Sequence, residues 1–175
     1  MPEFALGMGS NLGNRIKNLV EGIRYLLSRS CMGRFRLSGV YETPPLEGVE
    51  GGDFLNCVFT GNFYGSETEL IANCREAEVL MGSRVRKDNS ARTLDIDLLF
   101  FGDIKRNDEK LTLPHPGIQR RRFVLKPLSD VWSGKIPGLK STPGELLENC
   151  SDKSDIRSVC EAPSAGCFWE VPTET

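Results

Sequence analysis

Arg92-Thr93-Leu94-Asp95-Ile96-Asp97-Leu98-Leu99-Phe100-Phe101 alternates in character along its length. Leu94, Ile96 and Leu98 fall on one side of an extended chain; Thr93, Asp95, Asp97 and Leu99 fall on the other. This is the period-two pattern of a β-strand with a buried face. Asp95 and Asp97 then project from one face, roughly 7 Å apart by strand rise. Two such carboxylates repel unless a cation lies between them, and a hard ion such as Mg2+ takes oxygen ligands in the company of phosphates. The spacing predicts a Mg2+ site at Asp95 and Asp97 under a nucleotide polyphosphate. A solvated strand face has the same spelling, so the strand alone leaves both readings open.

Charge and composition narrow the choice. The 175 residues carry a net charge of −2, yet residues 84–126 hold eleven Lys and Arg against six Asp and Glu. Cations gathered around a carboxylate pair suit a metal and polyphosphate site better than a nucleic-acid surface, and the chain as a whole is acidic. Hydrophobic content of 39% and charged content of 26% belong to a globular domain with one core. No apolar run is long enough to span a membrane, and Met1 to Met8 lacks the basic region of a signal peptide; a cytoplasmic location is expected. Six cysteines and one histidine show no zinc-ligand spacing. Cys57 and Cys74 sit in apolar-patterned segments and are expected in the core, with the thiols reduced.

Working outward, Phe4 to Met8 reads as a first strand. The turn cluster Gly9 to Asn14 leads into a helix over Arg15 to Ser30, where Ile16, Leu19, Val20, Ile23, Leu26 and Leu27 make one stripe. Phe35 to Tyr41 reads as a second strand, ended by Pro44-Pro45. Residues 47–53 form a glycine-rich loop. Phe54 to Tyr64 is a third strand whose Phe54, Asn56, Val58 and Thr60 side either lines a pocket for a flat polar ring or is simply half exposed. Ser66-Glu67-Thr68-Glu69 and Thr142-Pro143-Gly144-Glu145 have capping-box spacing and open two further helices. Leu111 to Leu113 is a short strand, and Gln119 to Asp130 is partly helical. Arg120-Arg121-Arg122 at that helix start opposes the macrodipole, so an anion is expected nearby. From Cys150 the periodicity fails. The expected division is a domain over 1–150 and a tail over 151–175, docked by Phe168 and Trp169. The element order predicts an α+β sandwich, helices on one face of a mainly antiparallel sheet.

Several of these blocks occur together in one family. Gly9-Ser10-Asn11-Leu12-Gly13, Thr43-Pro44-Pro45-Leu46, Phe54-Leu55-Asn56, Arg92 to Asp97, Leu111-Thr112-Leu113-Pro114-His115-Pro116 and Arg122 to Leu128 resemble the 6-hydroxymethyl-7,8-dihydropterin pyrophosphokinases of folate synthesis. The resemblance runs in order from about Ala5 to Val131. It implies a ferredoxin-like fold, ATP as co-substrate, and transfer of pyrophosphate to the pterin hydroxymethyl group with release of AMP. By the same resemblance Asp95 and Asp97 would hold two Mg2+ ions. Arg84, Arg86, Arg92, Lys110, Thr112, His115 and Arg121 would bind ATP, with Arg92, Asp95 and Asp97 as the catalytic set. Thr43, Pro44, Leu46, Phe54, Asn56 and Phe123 would enclose the pterin. Closure of the loops at 47–53 and 83–91 would exclude water from ATP. One block departs: Asn89-Ser90-Ala91 stands where the family has Trp-Gly-Pro. The alternative is therefore a catalytically impaired homologue that binds nucleotide or a pterin-like ring as a regulatory or partner module. Oligomeric state is not written in the sequence.

Overall fold

The computed structural model describes residues 1–29, 31–83, 90–164 and 168–169. Its centre is β4 (Phe54–Phe63), which pairs with β1 (Glu3–Ser10) along the whole of that strand. On the far side of β1 lies β5 (Asp95–Phe101). On the far side of β4 lie β2 (Met32–Leu37) and β3 (Val40–Thr43), and β8 (Arg157–Cys160) closes that edge. All pairings in this six-stranded sheet are antiparallel. The helices are α1 (Arg15–Ser28), α2 (Glu67–Leu80), α3 (Arg122–Val131) and α4 (Pro143–Glu148). A separate two-stranded ribbon joins β6 (Arg106–Asn107) to β7 (Thr112–Leu113). Taking β2 and β3 as one interrupted strand, the chain from β1 to β5 is the βαββαβ unit of a ferredoxin-like fold.

Both capping boxes form: Ser66 and Glu69 open α2, Thr142 and Glu145 open α4, and Pro143 takes the first helical position. The alternation in β5 holds as read. Leu94, Ile96 and Leu98 enter a core built with Leu19, Ile23, Leu26, Leu70 and Phe59, under α1 and α2.

Helices on one face alone is not what the sheet adopts. Its opposite face carries a second core, in which Ala5, Val58, Leu99 and Phe100 meet Val124, Leu125, Leu128 and Val131 of α3. The reason lies in β1, β4 and β5, which carry apolar residues on both faces. A bulge in β5 adds to this: Ala5 stands opposite Phe100 and Leu6 opposite Leu98. The extra residue, Leu99, puts two consecutive side chains on the α3 side.

The single strand expected over Phe35 to Tyr41 is also divided. Ser38 accepts the Val58 N–H on its hydroxyl at 2.8 Å and donates that hydroxyl to Gly39 O at 2.6 Å, so a side chain replaces one rung of the ladder. A β-carbon on Gly39 would lie 2.9 Å from Cys160 O, a backbone approach only glycine allows.

Residues beyond 150, which show no periodicity, hold an element after all. β8 pairs with β3, placing Arg157 opposite Glu42. The Trp169 indole N–H reaches Ser38 O at 2.9 Å, and Phe168 lies against Phe35. Glu42 takes Arg157 and, at 2.8 Å, Arg15. Hydrogen bonds from Arg157 and Arg15 hold its carboxyl below the usual range, against the opposing effect of burial. A carboxylate depressed in the fold stabilises it fully above the unfolded pKa, about 4.3. That contribution is lost as pH falls through the lower folded value. Glu42→Gln is therefore expected to cost about 1 kcal/mol or less at neutral pH, because Arg157 is largely exposed. The cost should shrink as pH falls through the depressed folded value and the wild-type carboxyl also protonates. Thermal unfolding against pH reads this directly; a cost unchanged by acid would refute it.

Candidate active site

A cavity of about 220 Å3 opens on the α3 side of the sheet, over the β5, β1 and β4 strands. Its floor is made by register. Asp97, Gly7 and Val58 stand in one row across the three strands; Asp95, Gly9 and Asn56 stand in the next. The glycines leave the floor open. A β-carbon at Gly9 would come within 3.3 Å of Asn56 Oδ1 and 3.4 Å of the Phe54 ring, and one at Gly7 would touch Leu99. Glycine at alternate strand positions, Gly7 and Gly9, is the sequence signal that marks this floor.

Most of the expected site residues converge here. Arg92, Asp95, Asp97, His115 and Arg121 line the cavity together with Thr43, Pro44, Leu46, Phe54, Asn56 and Phe123. Lys110 and Thr112 do not. They line an adjoining cavity of about 290 Å3 that shares Asp97 and His115 with the first. Arg84 and Arg86, and the substituted residue Asn89, lie outside the described residues.

Each side chain is set by its element. Arg92 donates to Asp95 at 2.7 Å, and its own backbone is held on both sides by Asn11: Arg92 N–H to Asn11 Oδ1 at 2.7 Å, Asn11 N–H to Arg92 O at 3.0 Å. The Asn11 amide also reaches Glu50 O at 2.9 Å, drawing the glycine-rich loop toward the start of β5. Glu78, on α2, accepts the Ile96 N–H at 2.7 Å. It thereby holds the backbone between the two aspartates, a contact no local pattern announces. The His115 ring accepts the Gly117 N–H on Nδ1 at 3.0 Å, which leaves Nε2 to carry the proton of a neutral ring. Asn56 donates to Thr43 Oγ1 at 2.8 Å. The Arg121 guanidinium lies 5.7 Å from the centre of the Phe123 ring. Burial pushes the Cys57 and Cys74 thiols far up, as core residues, with Glu78 and Asp97 adding to the effect at Cys74.

The donor set fits Mg2+. Among the described residues no group of three or more His, Cys, Asp or Glu closes a metal cage. Two carboxylates facing a cavity are what Mg2+ uses when waters and phosphate oxygens complete its shell.

Fold and cavity together define a ferredoxin-like α+β domain with a two-carboxylate site ringed by cations and bordered by an aromatic pocket. The chain belongs to the 7,8-dihydro-6-hydroxymethylpterin-pyrophosphokinase (HPPK) family, whose model matches residues 5–133. The family uses ATP as co-substrate and Mg2+. The chain is similar to the mitochondrial folate synthesis bifunctional protein of Arabidopsis thaliana, 35% identical over 134 residues, covering 77% of this chain and 24% of that protein. It is 32% identical over 156 residues to a 2-amino-4-hydroxy-6-hydroxymethyldihydropteridine pyrophosphokinase of Methylorubrum extorquens, covering 89% of this chain and 95% of that one. The crystal structure of wild-type Plasmodium falciparum HPPK-DHPS superposes with a TM-score of 0.63 at 16% identity, over 85% of this chain and 43% of that one; this likeness is of fold. The chain thus spans about a quarter to a third of the bifunctional relatives it matches, and nearly all of the Methylorubrum relative.

Proposed function

We propose that the chain transfers the pyrophosphoryl group of ATP to the hydroxymethyl group of 6-hydroxymethyl-7,8-dihydropterin and releases AMP. The observation that carries this reading is the shared border of the two cavities. Asp97 and His115 belong to both, so a ring in one and a triphosphate in the other would meet at the carboxylate pair.

The ring would lie among Phe54, Phe123, Pro44 and Leu46, with its hydrogen-bonding edge toward Asn56 and Thr43. A buried amide left unpaired costs about 1–3 kcal/mol, which disfavours rings lacking the matching edge. Leu46 and Val49, both lining the cavity, give the ring an apolar cover from the loop between β3 and β4. That cover serves where the family's loop tryptophan is missing.

Asp95 and Asp97 would hold two Mg2+ ions, which neutralise triphosphate charge when bound. Arg92, Lys110, His115 and Arg121 would fix phosphate oxygens, and Thr112 the nucleotide. Phosphoryl transfer asks for in-line placement and charge neutralisation more than for covalent help from the protein. The hydroxymethyl oxygen bonds to the β-phosphorus as the bond from that phosphorus to the α-phosphate oxygen breaks; the hydroxyl proton passes to solvent. We place the chain in the cytoplasm, where the five free cysteines among the described residues would stay reduced.

The test is to mix the protein with ATP, Mg2+ and the pterin and to separate the nucleotides. AMP formed only with the pterin is the expected result. ADP would mean transfer of one phosphoryl group and a different reaction. ATP binding without conversion would favour a binding module. Arg121→Ala is expected to raise KM for ATP about tenfold, the scale of one charge-assisted hydrogen bond. Unchanged ATP kinetics would place that arginine outside the phosphate site.

A further inference from the structure

None of the described residues beyond 150 lines either cavity, yet they hold both walls of the ring pocket. α3 begins without a cap of its own, because its N-cap residue, Arg121, offers no side-chain acceptor. Asp152 supplies one from outside the helix. Its Oδ2 accepts the Arg122 N–H at 2.8 Å, while its Oδ1 accepts the Ser154 N–H at 2.9 Å. The Arg122 guanidinium donates in turn to Ser154 O at 3.3 Å. The anion that three consecutive arginines call for at a helix start is this carboxylate. Arg121 and Phe123 flank the held amide, and both line the cavity. An uncapped helix start frays within its first turn, and here the first turn is a pocket wall.

The opposite wall is held by the same segment. β8 pairs with β3, and Arg157 engages Glu42, the residue before Thr43. Thr43 lines the cavity and orients Asn56. Trp169 fixes the approach to β3 through Ser38 O. Asp130, near the end of α3, ties the two walls together by accepting the Tyr41 hydroxyl at 2.7 Å and the Gly39 N–H at 3.1 Å.

We propose that residues 151–164 and 168–169 act as a positioning strap for the ring pocket, in which Asp152 sets Arg121 and Phe123 and β8 sets Thr43. This rests on the pterin site proposed above and adds residues that never touch the ring.

The test compares Asp152→Ala, Asp152→Asn and Arg157→Ala by titration calorimetry with 6-hydroxymethylpterin, by steady-state kinetics and by thermal unfolding. Asp152→Ala is expected to raise the pterin Kd and KM about tenfold, a cost of misplacement, with kcat changed less. The melting temperature should drop by about 2–4 °C. Asp152→Asn keeps one oxygen for the Arg122 N–H but turns an amide N–H toward the Ser154 N–H, so it should restore the affinity in part. Arg157→Ala, at a largely exposed position, should raise Kd about two- to threefold, the scale of one exposed ion pair. A purely structural role would move the melting temperature and leave Kd and KM as in the wild type, which would overturn the strap. So would an Asp152→Asn variant as weak as Asp152→Ala. If Asp152→Ala does not fold, the other two variants decide, and wild-type Kd in Arg157→Ala would overturn the proposal. A wild-type chain that binds the pterin and yields no AMP overturns the activity and leaves the Kd comparison standing. One with no pterin affinity overturns the strap as well.

Discussion

Asp97→Ala is expected to lower kcat by roughly 10^3-fold or more, the scale of losing one preorganised electrostatic stabiliser at a reacting centre. Asp97 faces the border of the two cavities and stands opposite Gly7, so its loss removes charge without opening either core. The melting temperature should change by no more than about 2–4 °C, the scale of about 1 kcal/mol in a domain of this size, because Asp97 lies outside both hydrophobic cores. Asp95 is coupled differently. Its carboxylate holds the Arg92 guanidinium, so Asp95→Asn, which keeps the shape, is the cleaner companion. Both variants should keep a wild-type far-ultraviolet circular dichroism spectrum. Turnover near the wild-type rate in either would sink the metal assignment. A collapse of melting temperature in Asp97→Ala would mean that the residue serves the fold.

Phe59→Ala is expected to cost about 3–5 kcal/mol of stability. Phe59 is fully buried on the central strand and meets Phe4 and Phe35 edge to face, with ring centres 5.4 and 5.9 Å away. Each such pair adds about 0.5–1.5 kcal/mol beyond the area removed from water. Against a total of about 5–15 kcal/mol the loss is a large fraction. At about 2–4 °C per kcal/mol for a domain of this size, the melting temperature should fall by roughly 6–20 °C. Urea unfolding gives the free energy. A loss under about 1 kcal/mol would mean that the site collapses around the missing ring, and that the α1 and α2 core is softer than its burial indicates.

The parts legible in the sequence were those fixed by local rules. Alternation placed Leu94, Ile96 and Leu98 inward and Asp95 and Asp97 toward the cavity. Spacing found both capping boxes, and the carboxylate pair pointed to a strand that lines a cavity floor with β1 and β4. What escaped was set by partners far along the chain. Ser38 breaks its strand because Val58 donates to its side chain. Glu78 holds Ile96 from another element. β8 is short and polar, and only the waiting edge of β3 makes it a strand. The second core was hidden because a strand buried on both faces loses the contrast by which alternation is read. Of the cavity lining, the aromatic and amide residues were named through their motif, whereas the glycine floor depends on register across three strands.

The pairing of β8 with β3 has a consequence for synthesis. A wall that begins at Thr43 is completed by residues 157–160, more than a hundred positions later. On the ribosome, where the chain emerges from its N-terminus, β1 to β4 can pair early, but the β3 edge must wait until residue 160 has emerged. Until then it presents open backbone donors and acceptors to any neighbouring strand. A nascent copy in which residues 157–160 have not yet emerged would therefore hold most of its sheet while leaving that edge bare.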